Sequence, residues 1–449
     1  MEILIKNGRL VNEGHEYENG TLLIRGERIA EIGRPEADYT DFKGRVIDAR
    51  GCLVIPGVID PHVHFREPGL TYKGDMYSES RAAVAGGVTS YMDMPNTIPA
   101  TTTLDDIARK EEMAAVSSVA NYAFYLGATN ENIEQVRRID SSRVCGVKLF
   151  MGSSTGGMLV DDDYSISAIF AESPVIVAVH SEDERIIQEN MRLFRERYGG
   201  DIKPEWHAEI RSAEACYAAT ARAVELADKY GADLHVLHLS TARELPLFSA
   251  KPLSDKHITA EACVNHLWFA APDYAVKGNL IKVNPAIKSV EDRDALRTAV
   301  ADGRIDIVAT DHAPHTLDEK RLPYWECPSG LPSIEHSLAM MLGLAAAGFF
   351  SIGDVVEKMC HAPARRYGVR QRGFLREGMF ADIALVTTNA DWRVSDREVL
   401  YKCGWSPIAG STLRHRVRTT IINGRVVYDN GVFDESFRGM PLEFDRARA

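Results

Sequence analysis

Two histidines, His62 and His64, follow an apolar run that begins at Leu53. In an extended strand, residues i and i+2 point to the same face, so these two imidazoles can lie side by side. Imidazole nitrogens are common ligands of transition metals, and the pair therefore predicts a metal site. Arg66 follows two residues later and adds a fixed cation where the strand gives way to a loop. This combination favours hydrolytic chemistry on an anionic substrate.

The elements that position this pair alternate between strands and helices. Apolar runs predict strands at 58–64, 88–93, 119–127, 144–150, 174–179, 234–238, 257–263 and 305–310. Helical patterns lie between them at 76–86, 103–117, 130–139, 181–197, 207–229, 241–249 and 290–302. Eight strands separated by helices predict an α/β fold, a (β/α)₈ TIM barrel, over residues 55–365. A doubly wound sheet is the alternative, but no glycine-rich dinucleotide fingerprint follows the first strand.

The two ends of the chain have a different pattern. Residues 1–54 and 366–449 contain short alternating strands, and Asn-Gly turn signals occur at Asn7, Asn19 and Asn423. We expect these two segments to pair into one small β-sandwich domain beside the barrel.

Functional side chains of a TIM barrel lie at the carboxyl ends of its strands. Beyond the first strand, those ends carry Asn96, Lys148, His180, His238, Asp311 and His315. Taken singly, each has a structural explanation: a histidine at a strand end is more often hydrogen-bonded within the core, and a lysine among apolar residues can be ion-paired. Together, four imidazoles and a carboxylate at one rim predict two divalent metals about 3.5–4 Å apart.

Two metal ions that close together require a bridging anion, and Lys148 suggests its source. A buried lysine beside two metals could not remain protonated. The neutral amine can react with CO₂ to give a carbamate, whose two oxygens would bridge the metals together with a hydroxide. The remaining histidines are interpreted as structural; they include His207, His235, His257, His336, His361 and His415.

The composition excludes several classes of protein. The 449 residues carry a formal net charge of −12, which argues against nucleic acid and anionic membranes as partners. Seven dispersed cysteines without a CxxC motif favour a reducing compartment over a disulfide framework. The longest apolar stretch, 338–350, is too short to span a bilayer, and no secretory signal pattern opens the chain. We therefore expect a cytoplasmic enzyme with a small-molecule substrate.

The chain resembles the amidohydrolase superfamily over nearly its whole length, and within it the dihydroorotases. The strings that carry the resemblance are His62-Val-His-Phe-Arg-Glu-Pro-Gly69, Ala85-Gly-Gly-Val-Thr89, Asp93-Met-Pro-Asn-Thr97 and Thr310-Asp-His-Ala-Pro-His-Thr316 with Glu319-Lys320. The resemblance implies reversible cyclisation of N-carbamoyl-L-aspartate to L-dihydroorotate in de novo pyrimidine biosynthesis. It also implies two Zn²⁺ per subunit, bridged by N6-carboxylated Lys148 and a hydroxide.

The resemblance assigns a role to each site residue. His62, His64 and Asp311 would bind the more buried metal, His180 and His238 the second, and Lys148 would bridge both. Arg66, Asn96 and His315 would hold the substrate carboxylate, with Arg66 as a bidentate clamp. Asp311 would also be the catalytic proton shuttle. Asn284 would contact the substrate ring, and the backbone of 329–331 would bind it from a loop over the site.

Several alternatives remain open at this stage. The function could be that of an allantoinase, a hydantoinase or dihydropyrimidinase, or a non-catalytic scaffold. Some dihydroorotases use an aspartate as metal ligand, so Asp161, Asp162 and Asp163 compete with Lys148 for that position. The string Asn284-Pro-Ala-Ile-Lys288 also departs from the Pro-Pro-Leu-Arg that many relatives carry. A homodimer and an aspartate transcarbamoylase partner are further expectations, and the mobility of residues 313–330 is left open.

Overall fold

A computed structural model of the protein describes residues 2–33, 39, 41–151 and 158–446. The chain begins with five strands that belong to a sheet outside the barrel. They are β1 (Glu2–Asn12), β2 (His15–Arg25), β3 (Arg28–Gly33), β4 (Arg45–Asp48) and β5 (Cys52–Pro56). Asp161, Asp162 and Asp163, the alternatives to Lys148 as a metal ligand, all lie within the described residues.

Eight parallel strands then form a barrel in which each strand pairs with the next. They are β6 (Val58–Val63), β7 (Val88–Asp93), β8 (Asn121–Gly127), β9 (Gly146–Phe150), β10 (Val177–His180), β11 (Leu234–Val236), β12 (Ile258–Cys263) and β13 (Ile307–Ala309). The last strand returns to the first: the His64 backbone N–H donates to the His312 carbonyl at 2.8 Å. The expected TIM barrel is confirmed.

Helices connect the strands and surround the barrel. They are α1 (Met76–Ala85), α2 (Leu104–Ser117), α3 (Ile133–Arg137), α4 (Asp163–Glu172), α5 (Glu184–Tyr198), α6 (His207–Ile210), α7 (Ala213–Tyr230), α8 (Val264–Trp268), α9 (Tyr274–Lys277), α10 (Val290–Asp302), α11 (Leu317–Lys320), α12 (Ser337–Ala346), α13 (Ile352–Val356) and α14 (Ala362–Tyr367). A π-helical turn, Glu357–His361, joins α13 to α14. None of the helices in the described parts of the chain is long and apolar enough to cross a membrane.

Two of the expected helices differ from those observed. The expected helix 241–249 is wrong, because the segment forms only a 3₁₀ turn, Leu245–Leu247. Pro246 lacks the N–H that a longer helix would need. The expected helix 207–229 is divided, because Ser212 caps a new helix by accepting a hydrogen bond from the Ala215 N–H.

The strands from both chain ends pair in one sheet. Its C-terminal members are β14 (Ile383–Thr387), β17 (Arg416–Ile422), β18 (Arg425–Asp429) and β19 (Val432–Phe433). The strands β15 (Trp392–Arg393) and β16 (Thr412–Leu413) form a separate two-stranded ribbon. The nine strands run in the order β19-β18-β17-β14-β5-β1-β2-β3, with β4 beside β1. Side chains on one face of the sheet, including Ile3, Ile24 and Ile383, form an apolar core separate from that of the barrel. The alternate residues Leu53 and Ile55 pack into the core of the barrel.

Strand β5 leads directly into β6, with only Gly57 between them. A Cβ atom at Gly57 would lie 2.2 Å from the Thr89 hydroxyl oxygen, so this position requires glycine. Within β6, the Thr310 hydroxyl donates to Asp60 at 2.6 Å and ties the first barrel strand to the last. The strand that leads to His62 and His64 is therefore held at its start and in its middle.

Candidate metal centre and substrate pocket

The carboxyl ends of the barrel strands surround a cavity of about 330 Å³. All ten residues singled out from the sequence line it: His62, His64, Arg66, Asn96, Lys148, His180, His238, Asn284, Asp311 and His315. The structure thus brings together side chains from six of the eight strand ends and from two loops. Leu70, Ile98 and Phe150 add apolar wall to the same cavity.

Imidazole nitrogens and one carboxylate converge at the base of the cavity. Asp311 Oδ1 lies 3.3 Å from His62 Nε2 and 3.0 Å from His64 Nε2. On the other side, His180 Nδ1 lies 2.9 Å from His238 Nε2. His62, His238 and Asp311 place their ligand atoms within 4.8 Å of one another, a separation that suits a shared cation.

The protonation of these groups also suits a metal ion. Burial lowers the pKa of His64 to about 4, and it lowers the pKa of His180 and His238 below the usual histidine range. Burial alone would raise the pKa of Asp311, but the adjacent His62 and His64 hold it well below its usual range. The site therefore offers neutral imidazoles and an ionised carboxylate. Nδ1 of His238 is buried and has no hydrogen-bond partner.

Three cavity residues have backbone conformations in the left-handed region. Their φ angles are +70° for Arg66, +40° for His238 and +47° for Asp311. Non-glycine residues in this region are uncommon and cost free energy, and they cluster at functional sites. Each of the three follows the end of a barrel strand, where the turn aims the side chain into the cavity.

Lys148 projects from β9 into the cavity and is 1% exposed. Burial lowers its pKa to about 7, so that much of the amine is neutral near neutral pH. The competing aspartates are exposed at the start of α4. Asp161 accepts a hydrogen bond from Asn130, and Asp162 caps α4 by accepting from the Ser165 N–H at 2.7 Å. Lys148, and none of these aspartates, lines the cavity.

Two buried glutamates orient the histidines, and sequence reasoning missed both. Glu261 Oε1 on β12 lies 2.8 Å from His62 Nδ1. Glu182 Oε2 lies 2.8 Å from His180 Nε2, and Arg211 holds Glu182 through its guanidinium group. Because a carboxylate ion only accepts hydrogen bonds, Glu261 sets His62 with Nδ1 protonated and the Nε2 lone pair toward Asp311. For Glu261, the sequence signal that was available is an acidic residue inside the otherwise apolar strand β12.

A cationic corner lies beside the histidines. Arg66, 7% exposed, donates from Nε to the Pro314 carbonyl at 3.0 Å, and its Nη2 lies 3.1 Å from His315 Nε2. Asn96 adjoins this corner, and its Oδ1 lies 2.7 Å from His64 Nδ1. Lys73, which the sequence analysis did not single out, also lines the cavity and contacts His315 Nδ1. It lies in a loop without periodic pattern, so no sequence signal marked it.

Asn284 lies on the opposite wall, and His207 orients it. His207 Nε2 lies 2.8 Å from the Val283 carbonyl and 3.1 Å from Asn284 Oδ1, while its Nδ1 faces the Tyr324 hydroxyl at 2.7 Å. His207 therefore donates from Nε2 and Asn284 accepts through Oδ1, so that NH₂ is the donor that Asn284 can present to the cavity. His207 thus shapes the pocket through its hydrogen bonds, although its own side chain does not line the cavity.

Buried lysines fasten the segment 313–330 over the cavity. Lys320 Nζ donates to the carbonyls of Lys282, Pro328 and Gly330 at 3.1, 3.0 and 2.9 Å. Lys282 Nζ donates to the carbonyls of Tyr324 and Cys327 at 2.7 and 2.6 Å. These bonds hold Ser329 and Gly330 against the cavity, where both line its wall.

Comparison with known proteins places the fold and the site in a family. The amidohydrolase family description matches residues 53–427, which span the barrel and every residue of the site. The chain belongs to the amidohydrolase family. It is therefore a hydrolase of the kind that acts on small molecules, and the sequence resemblance is confirmed.

Individual amidohydrolases match nearly the whole chain. The dihydroorotase of Halobacterium salinarum is 35% identical over 415 residues, covering 90% of this chain and 92% of that protein. The dihydroorotase of Clostridium acetobutylicum is 31% identical over 432 residues, covering 95% and 100%. Among solved structures, the L-hydantoinase (dihydropyrimidinase) from Arthrobacter aurescens has a TM-score of 0.93 at 28% identity, covering 99% of each chain.

Proposed function

We propose that this amidohydrolase is a dihydroorotase, which interconverts L-dihydroorotate and N-carbamoyl-L-aspartate in de novo pyrimidine biosynthesis. The curated relatives at 31–35% identity carry that name. The observation that carries the proposal is the buried Arg66 guanidinium in the same cavity as the histidines and Asp311. A buried guanidinium needs an anion, and dihydroorotate supplies a carboxylate next to its cyclic amide.

The donor set fits two zinc ions. His62, His64 and Asp311 would hold the first, His180 and His238 the second, and Lys148 would join them as a carbamate formed with CO₂. Bound there, zinc would polarise the amide carbonyl and lower the pKa of water. The neutral imidazoles and the buried lysine, whose pKa burial lowers to about 7, support this assignment.

The protein's own residues would bind the substrate and move the proton. Arg66 and His315 would hold the carboxylate, with Asn96 beside them, and Asn284 would donate its NH₂ to a ring carbonyl. Asp311 is ionised, so in hydrolysis it can accept the proton of the attacking water. It then returns that proton to the ring nitrogen as the amide C–N bond breaks, and the new carboxyl group releases the second proton of the water to solvent. In the reverse direction, the carboxylate takes up one proton from solvent, and Asp311 moves the ureido proton to the departing oxygen, which leaves as water.

A hydantoinase or dihydropyrimidinase function is the second candidate, because the Arthrobacter aurescens enzyme has nearly the same fold. Allantoinase is a related possibility. The rings that these names denote carry no carboxylate, and they would leave Arg66 without an anionic partner. A non-catalytic scaffold is disfavoured because all six candidate metal ligands line the cavity.

The experiment is a comparison of L-dihydroorotate, allantoin and hydantoin as substrates of the zinc-loaded protein. We expect dihydroorotate to be hydrolysed with the highest kcat/KM. Arg66→Met should raise KM for dihydroorotate at least about tenfold, because one charge-assisted contact is worth about 1.5–3 kcal/mol. Preferred turnover of a neutral ring, or an unchanged KM in Arg66→Met, would contradict the proposal.

We further propose that the enzyme is a cytoplasmic homodimer and that aspartate transcarbamoylase is a partner. Sedimentation of the purified protein, alone and mixed with that transcarbamoylase, tests the dimer and the partner. A monomer at micromolar concentration would contradict the first, and independent sedimentation would contradict the second.

A further inference from the structure

Lys73 lies behind the residues that would hold the substrate carboxylate. It is 7% exposed and reaches the cavity from the loop between β6 and α1. Its Nζ lies 2.9 Å from His315 Nδ1 and 2.8 Å from Glu319 Oε1. Burial lowers the pKa of Lys73, and the Glu319 carboxylate opposes that shift and favours the ammonium form. An ammonium group has only donors, so His315 Nδ1 must accept.

This contact fixes the proton of His315 on the opposite nitrogen. Burial lowers the pKa of His315 well below its usual range, and Arg66 and Lys73 lower it further, so the ring is neutral. A neutral imidazole has one donor and one acceptor. With Nδ1 accepting from Lys73, Nε2 carries the hydrogen and donates to the Ser329 carbonyl at 3.1 Å.

In this tautomer, His315 Nε2 has no lone pair to offer the neighbouring Arg66 guanidinium. Arg66 Nη2 lies 3.1 Å from His315 Nε2, yet both atoms carry hydrogens and cannot bond to each other. A substrate carboxylate oxygen would supply the acceptor that His315 does not. In the other tautomer, His315 Nε2 would accept from Arg66 directly, and the guanidinium would be partly satisfied without substrate.

We propose that Lys73 is a positioning residue that holds His315 in its Nε2–H tautomer and thereby keeps Arg66 available for the substrate carboxylate. This inference rests on the proposed function for the identity of the anion. Glu319 serves Lys73 as a counter-ion, and it also caps α11 with Thr316. The assignment makes Lys73 a determinant of specificity for acidic rings, acting through His315.

Steady-state kinetics with L-dihydroorotate test the proposal in three variants. Lys73→Met should raise KM at least about tenfold, while kcat changes less than about threefold. In an Arg66→Met background, Lys73→Met should change KM less than about threefold, because its effect passes through the Arg66–His315 pair. Tyr72→Phe is the matched control, since it removes only the hydroxyl that donates to Glu319 Oε1 at 3.2 Å and leaves Lys73 on His315, and its KM should not rise.

Long-range ¹H–¹⁵N spectra of ¹⁵N-histidine-labelled, zinc-loaded protein provide a readout that needs no substrate. His315, assigned by its loss in His315→Gln, should show a protonated Nε2 in the wild type and a protonated Nδ1 fraction in Lys73→Met. An unchanged tautomer in Lys73→Met, a loss of kcat equal to the rise in KM, or an equal rise of KM in Tyr72→Phe would overturn the proposal. If the wild type fails to turn over dihydroorotate, the proposed function fails, and the spectra still decide the role of Lys73.

Discussion

His62 Nδ1 lies 2.8 Å from Glu261 Oε1, and the two side chains belong to barrel strands that are not neighbours, β6 and β12. The carboxylate also accepts a hydrogen bond from the backbone N–H of His238 at 3.2 Å. A single side chain two strands away around the barrel thus orients one candidate metal ligand and supports the backbone of another.

Glu261→Gln should weaken metal binding by about 10–100-fold, because it removes the charge that holds the His62 proton and orients the ring. Zinc affinity is measured by competition with a chromogenic chelator. Glu244→Gln is the matched control: Glu244 is also buried, but its partners are the hydroxyls of Thr220 and Thr241, away from the cavity. Equal affinity in Glu261→Gln and the wild type would rule out this role.

Lys148→Ala should lose bound metal and activity, because the variant cannot form the proposed bridge. Metal content is read by elemental analysis of protein that has been purified in zinc-containing buffer. Asp161→Ala and Asp162→Ala are the controls, since both aspartates are exposed and lie outside the cavity. A metal-loaded, active Lys148→Ala together with a metal-free Asp162→Ala would reverse the assignment of the bridging ligand.

Arg211→Met should destabilise the fold by about 3–5 kcal/mol, because it leaves the buried Glu182 carboxylate without its cation. Urea unfolding at pH 7 measures the change in the free energy of unfolding. Arg185→Met is the control, since Arg185 pairs with Asp183 at 3.3 Å on the surface, and such pairs contribute at most about 1 kcal/mol. Equal stability of the two variants would show that Glu182 does not depend on Arg211.

Glu335→Gln should make the folded protein lose less stability at alkaline pH than the wild type does. Burial raises the pKa of Glu335 to about 8, against about 4.3 in an unfolded chain. The folded state therefore binds the extra proton, and its stabilising effect is lost as pH rises from about 4 through 8. The melting temperature of Glu335→Gln, relative to wild type, should be higher at pH 8.5 than at pH 5.5. A difference that does not change with pH would contradict the prediction.

The sequence was sufficient to place the candidate metal ligands at one rim because they follow the repeating pattern of the barrel. His180, His238 and Asp311 each stand at or just beyond the carboxyl end of an apolar run, and parallel strands bring such ends to one rim. The same logic placed Lys148, whose apolar neighbours indicated burial. The roles assigned to these residues as ligands remain predictions.

Other features depend on contacts that no local pattern records. Glu261 becomes a partner of His62 only when strands distant in sequence close the barrel. Asn96 was expected to hold the carboxylate, and the structure shows that it also contacts His64. The segment 241–249 has helical spacing, but the proline within it ends the helix after a single turn. In these cases the final structure depends on contacts between residues that are distant in sequence or on a single residue that interrupts the pattern, and the local pattern records neither.

Strand β5 pairs with β14 from residues 383–387 and continues through Gly57 into the strand that carries His62 and His64. The first half of the catalytic rim therefore depends on a strand that is more than 300 residues later in the chain. Contacts of such sequence separation form late and slowly during folding. A fragment that keeps β5 with the barrel but omits β1 and β14 would leave the edges of β5 open to other chains. Engineers who seek a minimal catalyst from this scaffold should therefore retain the terminal sheet.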